Sequence, residues 1–350
     1  RLLGHLAHRL GADHCPALQP LVCSRSSTHY RAHNMKILIT GAAGNIGRRL
    51  VEKLLAENSA EIYATDVKEN PFPGHPKLDF QCLDLRGEEF TDWVKQIRPQ
   101  QIVHLASILQ ISATLSREMA HDIDVKSTEA LLQTSVSLGV EKFIVTTSGA
   151  AYGYYPENRD IISETRATRG NKSYFYSAHK AEVENIMARY QDQHPELKQI
   201  IFRPGAVLGP NFDGPVVNLF KQSLITGLIG YPGPFTFIWS EDLVDYIIEG
   251  LKGPITGPFN VAGDGVMTMK DIAKRLNKIY LPLPPLLIQA ALAIAKPLGL
   301  TQYGPEQVKF IKYRPVLAND KIKSTFTHKA RYSTAQALDA FLAQTQETNS

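Results

Sequence analysis

The chain has 350 residues, 43% of them hydrophobic, and a formal net charge of +4 at pH 7. Such a composition is typical of a globular protein, and the length allows one large domain or two lobes with a sizeable core. Most of the excess positive charge lies in residues 1–34, which hold four arginines and one aspartate. Because the rest of the chain is nearly neutral, we expect no nucleic-acid partner.

Residues 1–34 differ from the rest and form a leader that we expect to be disordered or not part of the fold. The first methionine is Met35, immediately before the first predicted strand. The basic, acid-poor leader resembles an organelle transit peptide. The alternative, which the abrupt start at Met35 favours, is upstream sequence that does not belong to the working protein.

Cysteine usage and hydropathy indicate a reducing compartment and no membrane span. Only Cys82 lies outside the leader, so the body has no disulfide framework and we expect a cytoplasmic location. The uncharged, largely apolar stretch of residues 279–295 contains three prolines. It is shorter than the ~20 apolar residues that a transmembrane helix needs, so we expect no stable membrane insertion.

The first strand, turn and helix carry a glycine motif. Residues 35–39 predict a buried strand, and apolar residues recur four apart from 46 to 54, as on one helix face. Between them, Gly41 would make a tight turn, Gly44 would let a pyrophosphate approach, and Gly47 would let the helix pack closely. Glycine turns also serve packing alone, so the motif needs support from the rest of the chain.

The second predicted strand, residues 61–66, ends in an acid. Asp66 lies 19 residues after Gly47. A carboxylate there would accept hydrogen bonds from the adenosine ribose and repel a 2′-phosphate, which favours NAD over NADP. The alternative is an ordinary turn aspartate at the end of a strand.

Strands and helices then alternate, which predicts a Rossmann-type, doubly wound parallel α/β sheet. The further predicted strands are 78–85, 101–107, 142–147 and 199–203, and the predicted helices include 88–97 and 122–138. We expect an NAD-binding Rossmann domain at residues 35–210, with a returning segment at 237–263. Residues 211–236 and 264–342 would form a smaller C-terminal substrate-binding lobe.

Within that lobe, residues 286–295 are almost wholly apolar. We expect a helix buried between the lobes. The alternative is an apolar lid over a hydrophobic substrate.

Three side chains predict acid–base chemistry at the carboxyl edge of the sheet. Ser148 directly follows the fifth strand, and Tyr176 and Lys180 are four apart on one helix. A lysine ammonium would lower the pKa of a tyrosine from about 10, and the serine would hold a substrate oxygen. Alternatively, the tyrosine and lysine form a packing pair and the serine caps a turn. We expect His179 to face solvent, and we expect no metal site.

These motifs together resemble the extended short-chain dehydrogenases/reductases, the NAD-dependent epimerase/dehydratase family. The resemblance covers residues 35–342, and the residues that carry it are 40–47, Asp66, Asp84, Leu85, 104–106, Ser148, Tyr152, Gly153, Tyr176, Lys180, Arg203, Pro204, Gly209, Pro210, 237–244 and 326–338.

The resemblance implies a set of contacts with NAD. Gly41, Gly44, Asn45, Ile46 and Gly47 would hold the pyrophosphate, Asp66 the ribose, Asp84 and Leu85 the adenine, Leu105, Ala106 and Ser107 the length of the dinucleotide, Tyr176 and Lys180 the nicotinamide riboside, and Pro204 and Gly205 the nicotinamide.

The chain also departs from the family pattern. Asp124 stands where the family often has asparagine, and Ala206 where sugar-nucleotide members usually have asparagine. The Arg-x-Gly-Asp sequence that often binds the diphosphate is missing from the carboxyl-terminal part. These differences weigh against a UDP-sugar substrate.

The sequence therefore predicts an NAD-dependent oxidoreductase that moves a hydride between a small secondary alcohol or ketone and NAD, with a Ser-Tyr-Lys site. One alternative is a nucleotide-sugar epimerase or dehydratase with tightly bound NAD. Another is a non-catalytic dinucleotide-binding regulator, which the presence of Ser148, Tyr176 and Lys180 disfavours. The sequence leaves open whether the chain forms a homodimer.

Overall fold

A computed structural model describes residues 35–349, except residues 73, 113, 159, 302 and 303, with side chains through residue 345. The predicted leader lies outside the described residues.

A parallel sheet forms the centre of the fold, in the order β11-β7-β5-β4-β1-β2-β3. The described strands are β1 Met35–Thr40, β2 Ala60–Asp66, β3 Leu78–Cys82, β4 Gln101–His104, β5 Lys142–Thr146, β6 Ile161–Ile162, β7 Lys198–Pro204, β8 Ala206–Leu208, β9 Leu224–Leu228, β10 Phe237–Trp239, β11 Gly257–Val261, β12 Ile279–Leu283 and β13 Val316–Leu317. The predicted Rossmann-type α/β class is confirmed.

Helices connect the strands and cover both faces of the sheet. They are α1 Asn45–Glu57, α2 Glu88–Ile97, α3 Arg117–His121, α4 Ser127–Leu138, α5 Phe175–Gln193, α6 Pro215–Lys221, α7 Ser240–Lys252, α8 Met269–Arg275, α9 Pro285–Ala295, α10 Val308–Lys312, α11 Asp320–Thr325 and α12 Thr334–Asn349. Single helical turns lie at Asp122–Lys126 (a π turn), Gly149–Tyr152 and Pro305–Gln307.

Several predicted boundaries differ by a few residues. The third and fourth strands end earlier than predicted, at Cys82 and His104, and each is followed by a single further backbone hydrogen bond, from the amides of Leu83 and Leu105. The helix predicted from residue 122 starts earlier, at Arg117, where the Ser116 hydroxyl accepts a hydrogen bond from the Met119 amide at 3.1 Å. It then passes through the π turn into α4, which ends at the left-handed Gly139 as predicted.

Each face of the sheet carries its own apolar core. On one face, α1 and α7 bury residues such as Leu50, Val244 and Ile247. On the other, α2, α4 and α5 bury residues such as Leu131 and Met187. This burial on both faces explains why the central strands are continuous apolar runs.

A third core lies apart from the sheet. It joins α6, α8 and α12 to β8, β9 and β10 through buried side chains such as Phe220, Phe237, Ile272 and Leu338. The assignment of residues 211–236 and 264–342 to a substrate-binding lobe stays a prediction.

The expectation for residues 286–295 is wrong. These residues form α9, but none of its side chains is buried. The helix packs only along one side, against the turn Pro305–Gln307 and α10, and not between two cores. Among the described helices, none is both long enough and apolar enough to cross a bilayer.

Candidate active site

A cleft of about 410 Å³ opens at the carboxyl ends of β1, β4, β5 and β7. In parallel α/β sheets this edge is where ligands bind. The cleft brings together most of the predicted site residues, which lie on separate strands and helices: Gly41, Gly44, Asn45, Ile46, Gly47, Leu105, Ser107, Ser148, Tyr176, Lys180, Pro204 and Gly205.

The glycine turn is shaped by close backbone contacts. Gly41 has a φ of +69°, and a Cβ there would lie 2.6 Å from the amide nitrogen of Ala106. A Cβ on Gly47 would lie 2.2 Å from the carbonyl oxygen of Gly41. Gly44 caps α1 without a side chain, so the first amides of the helix have no side-chain cap. The turn thus presents backbone donors to the cleft, as a diphosphate requires.

The ribose end of a dinucleotide also has matching groups. The Asp66 carboxylate accepts hydrogen bonds from the amides of Ala43 at 3.0 Å and Lys68 at 3.1 Å, which holds it beside the glycine turn. The Ser107 hydroxyl lines the cleft and is buried without a hydrogen-bond partner among the described residues. These groups suit the ribose of NAD, and their contacts with the cofactor stay a prediction.

Four of the predicted cofactor contacts are not among the residues that line the cleft: Asp66, Asp84, Leu85 and Ala106. Ala106 approaches Gly41 through its backbone. Asp84 pairs with Arg86, whose Nε donates to Oδ1 at 3.0 Å, and Leu85 packs on one of the sheet cores. Their contacts with the adenine stay a prediction.

The three candidate catalytic side chains converge at the other end of the cleft. The Ser148 side chain shares a hydrogen bond with the Tyr176 hydroxyl, and its Oγ accepts the Ala150 amide at 3.1 Å. Lys180 lies one turn after Tyr176, with Nζ 5.6 Å from the tyrosine ring centroid. That Nζ donates to the carbonyl oxygen of Thr146 at 3.2 Å.

A buried ionic network holds the end of β5 against α5. The Thr147 hydroxyl donates to Glu184 Oε1 at 2.7 Å, and the Arg203 guanidinium donates to the same carboxylate at 2.9 Å. Ser148 follows Thr147 directly, and Glu184 lies one turn beyond Lys180. The network therefore sets the spacing between Ser148 and the α5 side chains.

The pKa of Tyr176 differs from the expectation. Burial raises the pKa of Tyr176 above its usual value, the hydrogen bond with Ser148 lowers it in part, and Tyr154 and Asp124 raise it further. Burial also lowers the pKa of Lys180. The predicted lowering of the tyrosine pKa by lysine is not seen, because the Lys180 ammonium is directed at the Thr146 carbonyl.

His179 is buried, so the expectation that it faces solvent is wrong. Its Nδ1 lies 2.9 Å from Asp124 Oδ2, and the other carboxylate oxygen accepts the amide of Ile108 at 2.8 Å. Asp124 sits on the π turn and is itself buried. Sequence reasoning missed this pair because the two residues are 55 positions apart.

The far end of the cleft contains groups that sequence reasoning missed. Tyr174 stacks on Phe310 with ring centroids 4.3 Å apart, and Tyr154 lies 4.8 Å from the same ring. The Arg314 guanidinium lies 3.9 Å from the Phe235 ring centroid, and its Nε is buried without a partner among the described residues. A cation at this end can receive an anionic part of a substrate.

One group of potential metal ligands lies outside the cleft. Ligand atoms of Asp242, Asp245 and His328 are within 4.8 Å of one another. Arg331 donates to Asp242 at 2.7 Å and Lys53 to Asp245 at 2.6 Å, so cationic side chains already balance these carboxylates. We assign no metal to them.

Comparison with known proteins agrees with this geometry. Residues 37–248 match the NAD dependent epimerase/dehydratase family. The chain belongs to this family. The resemblance drawn from the motifs is therefore confirmed, and this family member is an NAD-dependent enzyme of the extended short-chain dehydrogenase/reductase type.

Named relatives of this family member act on sugar nucleotides. It is 27% identical to UDP-glucuronic acid decarboxylase 6 of Arabidopsis thaliana, over 74% of this chain and 78% of the relative. It is 28% identical to UDP-glucose 4-epimerase of Mycolicibacterium smegmatis, over 67% of this chain and 79% of the relative.

Solved structures show the same fold. The UDP-glucose 4-epimerase of Thermotoga maritima, solved with UDP-glucose, has a TM-score of 0.71 at 19% identity and covers 90% of this chain and 100% of its own. The UDP-glucose 4-epimerase of Thermus thermophilus, solved with NAD, has a TM-score of 0.68 at 23% identity, covering 89% of this chain and 99% of its own.

Proposed function

We propose that Ser148, Tyr176 and Lys180 catalyse proton transfer while a hydride moves between a secondary alcohol or ketone and NAD. The observation that carries this proposal is the convergence of the three side chains in one cleft with the glycine turn. When bound, NAD would supply the hydride acceptor and donor. Gly41, Gly44 and Gly47 would hold its diphosphate, and Asp66 its ribose.

Each catalytic side chain has a separate task. The Tyr176 hydroxyl takes the proton from the substrate alcohol during oxidation and returns it during reduction. The Ser148 hydroxyl, already hydrogen-bonded to Tyr176, holds the substrate oxygen beside it. Because burial, Tyr154 and Asp124 raise the tyrosine pKa, the site needs positive charge near the phenolate. The oxidised nicotinamide would supply it, and Lys180 would add to it once its ammonium leaves the Thr146 carbonyl.

A nucleotide sugar is the first substrate class to test. Arg314 places a guanidinium with an unpartnered Nε at the far end of the cleft, although the expected Arg-x-Gly-Asp sequence is missing. Guanidinium groups bind phosphates well. The relatives' names support the same class, whereas Ala206 in place of asparagine weighs against it.

A panel of substrates tests both proposals. The enzyme is incubated with NAD and either UDP-glucose, UDP-glucuronic acid or uncharged secondary alcohols, and NADH formation and changed sugar products are measured. Arg314→Gln should weaken turnover of a nucleotide sugar and leave an uncharged alcohol unaffected, whereas Arg275→Gln, at an exposed ion pair, is the matched control. If only uncharged alcohols were turned over, the nucleotide-sugar class would be rejected, but the proposed oxidoreductase activity would stand.

Two further properties stay predictions. The exposed Cys82 supports a reducing, cytoplasmic location, since an exposed thiol is readily oxidised elsewhere. Analytical ultracentrifugation would establish whether the chain forms the homodimer that the sequence leaves open.

A further inference from the structure

The outer face of α9 is apolar along its whole length. Leu286, Ala290 and Ile294 are four apart on one stripe, and Leu287 and Ala291 lie beside it. All five are exposed, and the exposed fractions of Leu286 and Ile294 are 78% and 63%. A surface helix normally presents charged or polar side chains on this side.

The inner side of α9 meets the rest of the protein. Ile288, Leu292 and Ala295 are half-buried, on the side opposite the stripe, and the helix contacts the turn Pro305–Gln307 and α10. The sole polar side chain of the helix, Gln289, is also half-buried. The exposed apolar stripe is therefore a second face of α9, separate from the side that packs against the rest of the protein.

Exposed apolar side chains continue beyond the helix. Leu298 and Leu300 follow it with exposed fractions of 66% and 77%. We call these two residues and the stripe together the apolar face: Leu286, Leu287, Ala290, Ala291, Ile294, Leu298 and Leu300. Soluble monomers seldom expose a contiguous patch of this kind, and such patches mark contact with a protein or a membrane.

The segment around the apolar face is strongly basic. Residues 272–319 hold seven lysines and arginines and one acid, Glu306, although the whole chain carries a net charge of only +4. Lys296 directly follows α9 and pairs with Glu306 at 3.2 Å. Lys309, on the helix that packs against α9, is exposed. Lys296 and Lys309 thus place basic side chains at the end of α9 and on the helix that packs against it.

We propose that the apolar face docks on an anionic membrane surface, with α9 lying in the boundary between headgroups and acyl chains. An apolar helix face flanked by lysines is the pattern of interfacial helices, whose affinity combines buried apolar area with attraction to anionic lipid. At about 1.5 Å per residue, the 11 residues of α9 are too short to span a bilayer, so the helix lies along the surface.

The charge argues against a second copy as the occupant. A two-fold interface centred on α9 would bring the same basic segment of both copies together, and like charges across an interface cost affinity. Residues 1–34 carry an excess of arginine as well, so they have no charge complementarity to this segment. An anionic bilayer complements both the apolar and the basic groups.

One helix, α10, connects α9 to the cleft. Phe310, on the helix that packs against α9, forms part of the aromatic cluster with Tyr154 and Tyr174 at the substrate end. Leu109 lines the cleft and is half exposed. Docking would therefore hold the substrate end of the cleft close to the lipid surface.

Vesicle co-sedimentation of the full chain tests the proposal. The probes are phosphatidylcholine vesicles with and without phosphatidylserine, at low and high salt. We expect tighter binding to the anionic vesicles and weaker binding at high salt. Replacing Leu286 and Ile294 together by glutamate should weaken binding roughly tenfold or more, and Lys296→Gln with Lys309→Gln about fivefold per lysine on anionic vesicles.

A matched double variant controls for added charge. Ile161→Glu with Val266→Glu changes two exposed apolar side chains outside α9 by the same chemistry and should bind vesicles like the original chain. NAD binding and melting temperature show that each variant folds. The proposal would be overturned if the Leu286 and Ile294 variant bound vesicles as tightly as the original chain, or if the original chain did not bind them at all. A dimer that the same variant dissociates, without vesicle binding, would identify a second copy as the occupant instead.

Discussion

His179 on α5 and Asp124 on the π turn form a buried hydrogen bond of 2.9 Å, one residue away from Lys180. The carboxylate stands where the family pattern often has asparagine, so the site carries an additional negative charge. That charge raises the pKa values of both Lys180 and Tyr176, against the effect of burial for lysine and together with it for tyrosine.

Removing this charge should shift the pH dependence of the reaction. In Asp124→Asn, the pKa values of Tyr176 and Lys180 both fall, so both limbs of the pH profile of kcat/KM should move to lower pH. Asp122→Asn, two residues earlier at a surface ion pair with Lys126, is the control and should leave the profile in place. An unchanged profile in Asp124→Asn would show that the carboxylate only supports the fold.

Asp66 should make the enzyme select NAD. Its carboxylate is held beside the glycine turn and would repel a 2′-phosphate. Calorimetric titration should give tighter binding of NAD than of NADP, and Asp66→Asn should reduce this preference, whereas Asp79→Asn on the neighbouring strand should not. Equal or tighter binding of NADP by the original chain would contradict the assignment and would point to Arg48 or Lys68.

The ring of His104 should make the fold sensitive to acid. The Thr128 hydroxyl donates to the Asp124 carbonyl at 2.6 Å, so it accepts from His104 Nε2 at 2.9 Å. The other ring nitrogen then accepts from the Thr40 hydroxyl at 2.7 Å, which selects the neutral ring. Burial, assisted by the charge of Lys180, lowers the pKa of His104 from 6.5 to about 4.

Because the folded state disfavours the protonated ring, the stability that His104 contributes is complete above its unfolded pKa. It should be lost as the pH falls from 6.5 to about 4, by on the order of 3 kcal/mol. Urea unfolding across this range should show a smaller pH dependence in His104→Gln than in the original chain. His194→Gln at the surface should behave like the original chain, and equal slopes in all three proteins would reject the assignment.

A chain that begins at Met35 should fold and bind NAD like the full chain. The first strand starts at Met35, and the described core that packs on this strand is built from residues that follow Met35 in the chain. Melting temperature and NAD affinity of the two chains provide the comparison. A large decrease in melting temperature on removal of residues 1–34 would show that the leader stabilises the body.

The sequence predicted the parts of this protein that depend on local pattern. The glycine motif predicted a tight turn, and the backbone at Gly41 and Gly47 indeed leaves no room for a Cβ. Tyr176 and Lys180 share a helix face because they are four residues apart. The alternation of strands and helices predicted the parallel sheet, the family resemblance supported NAD as the cofactor, and both are confirmed.

The features that the sequence did not predict depend on contacts between distant segments. The sequence predicted an exposed His179, because it does not reveal that the fold places Asp124 beside this ring. Arg314 has no motif around it, and only the packing of its segment brings it to the cleft. The apolar run of α9 predicted burial because composition alone does not distinguish a helix that the fold buries from one that it leaves exposed.

The most direct test of the Ser-Tyr-Lys assignment is the rate of NADH formation by Tyr176→Phe, with a substrate that the panel shows to be turned over. We predict a loss of about 10²–10⁴-fold in rate with unchanged NAD affinity, since one hydroxyl is removed from an existing helix. Tyr190→Phe, on the same helix but away from the cleft, should keep full activity. Near-full activity of Tyr176→Phe would contradict the account and would require another acid–base group.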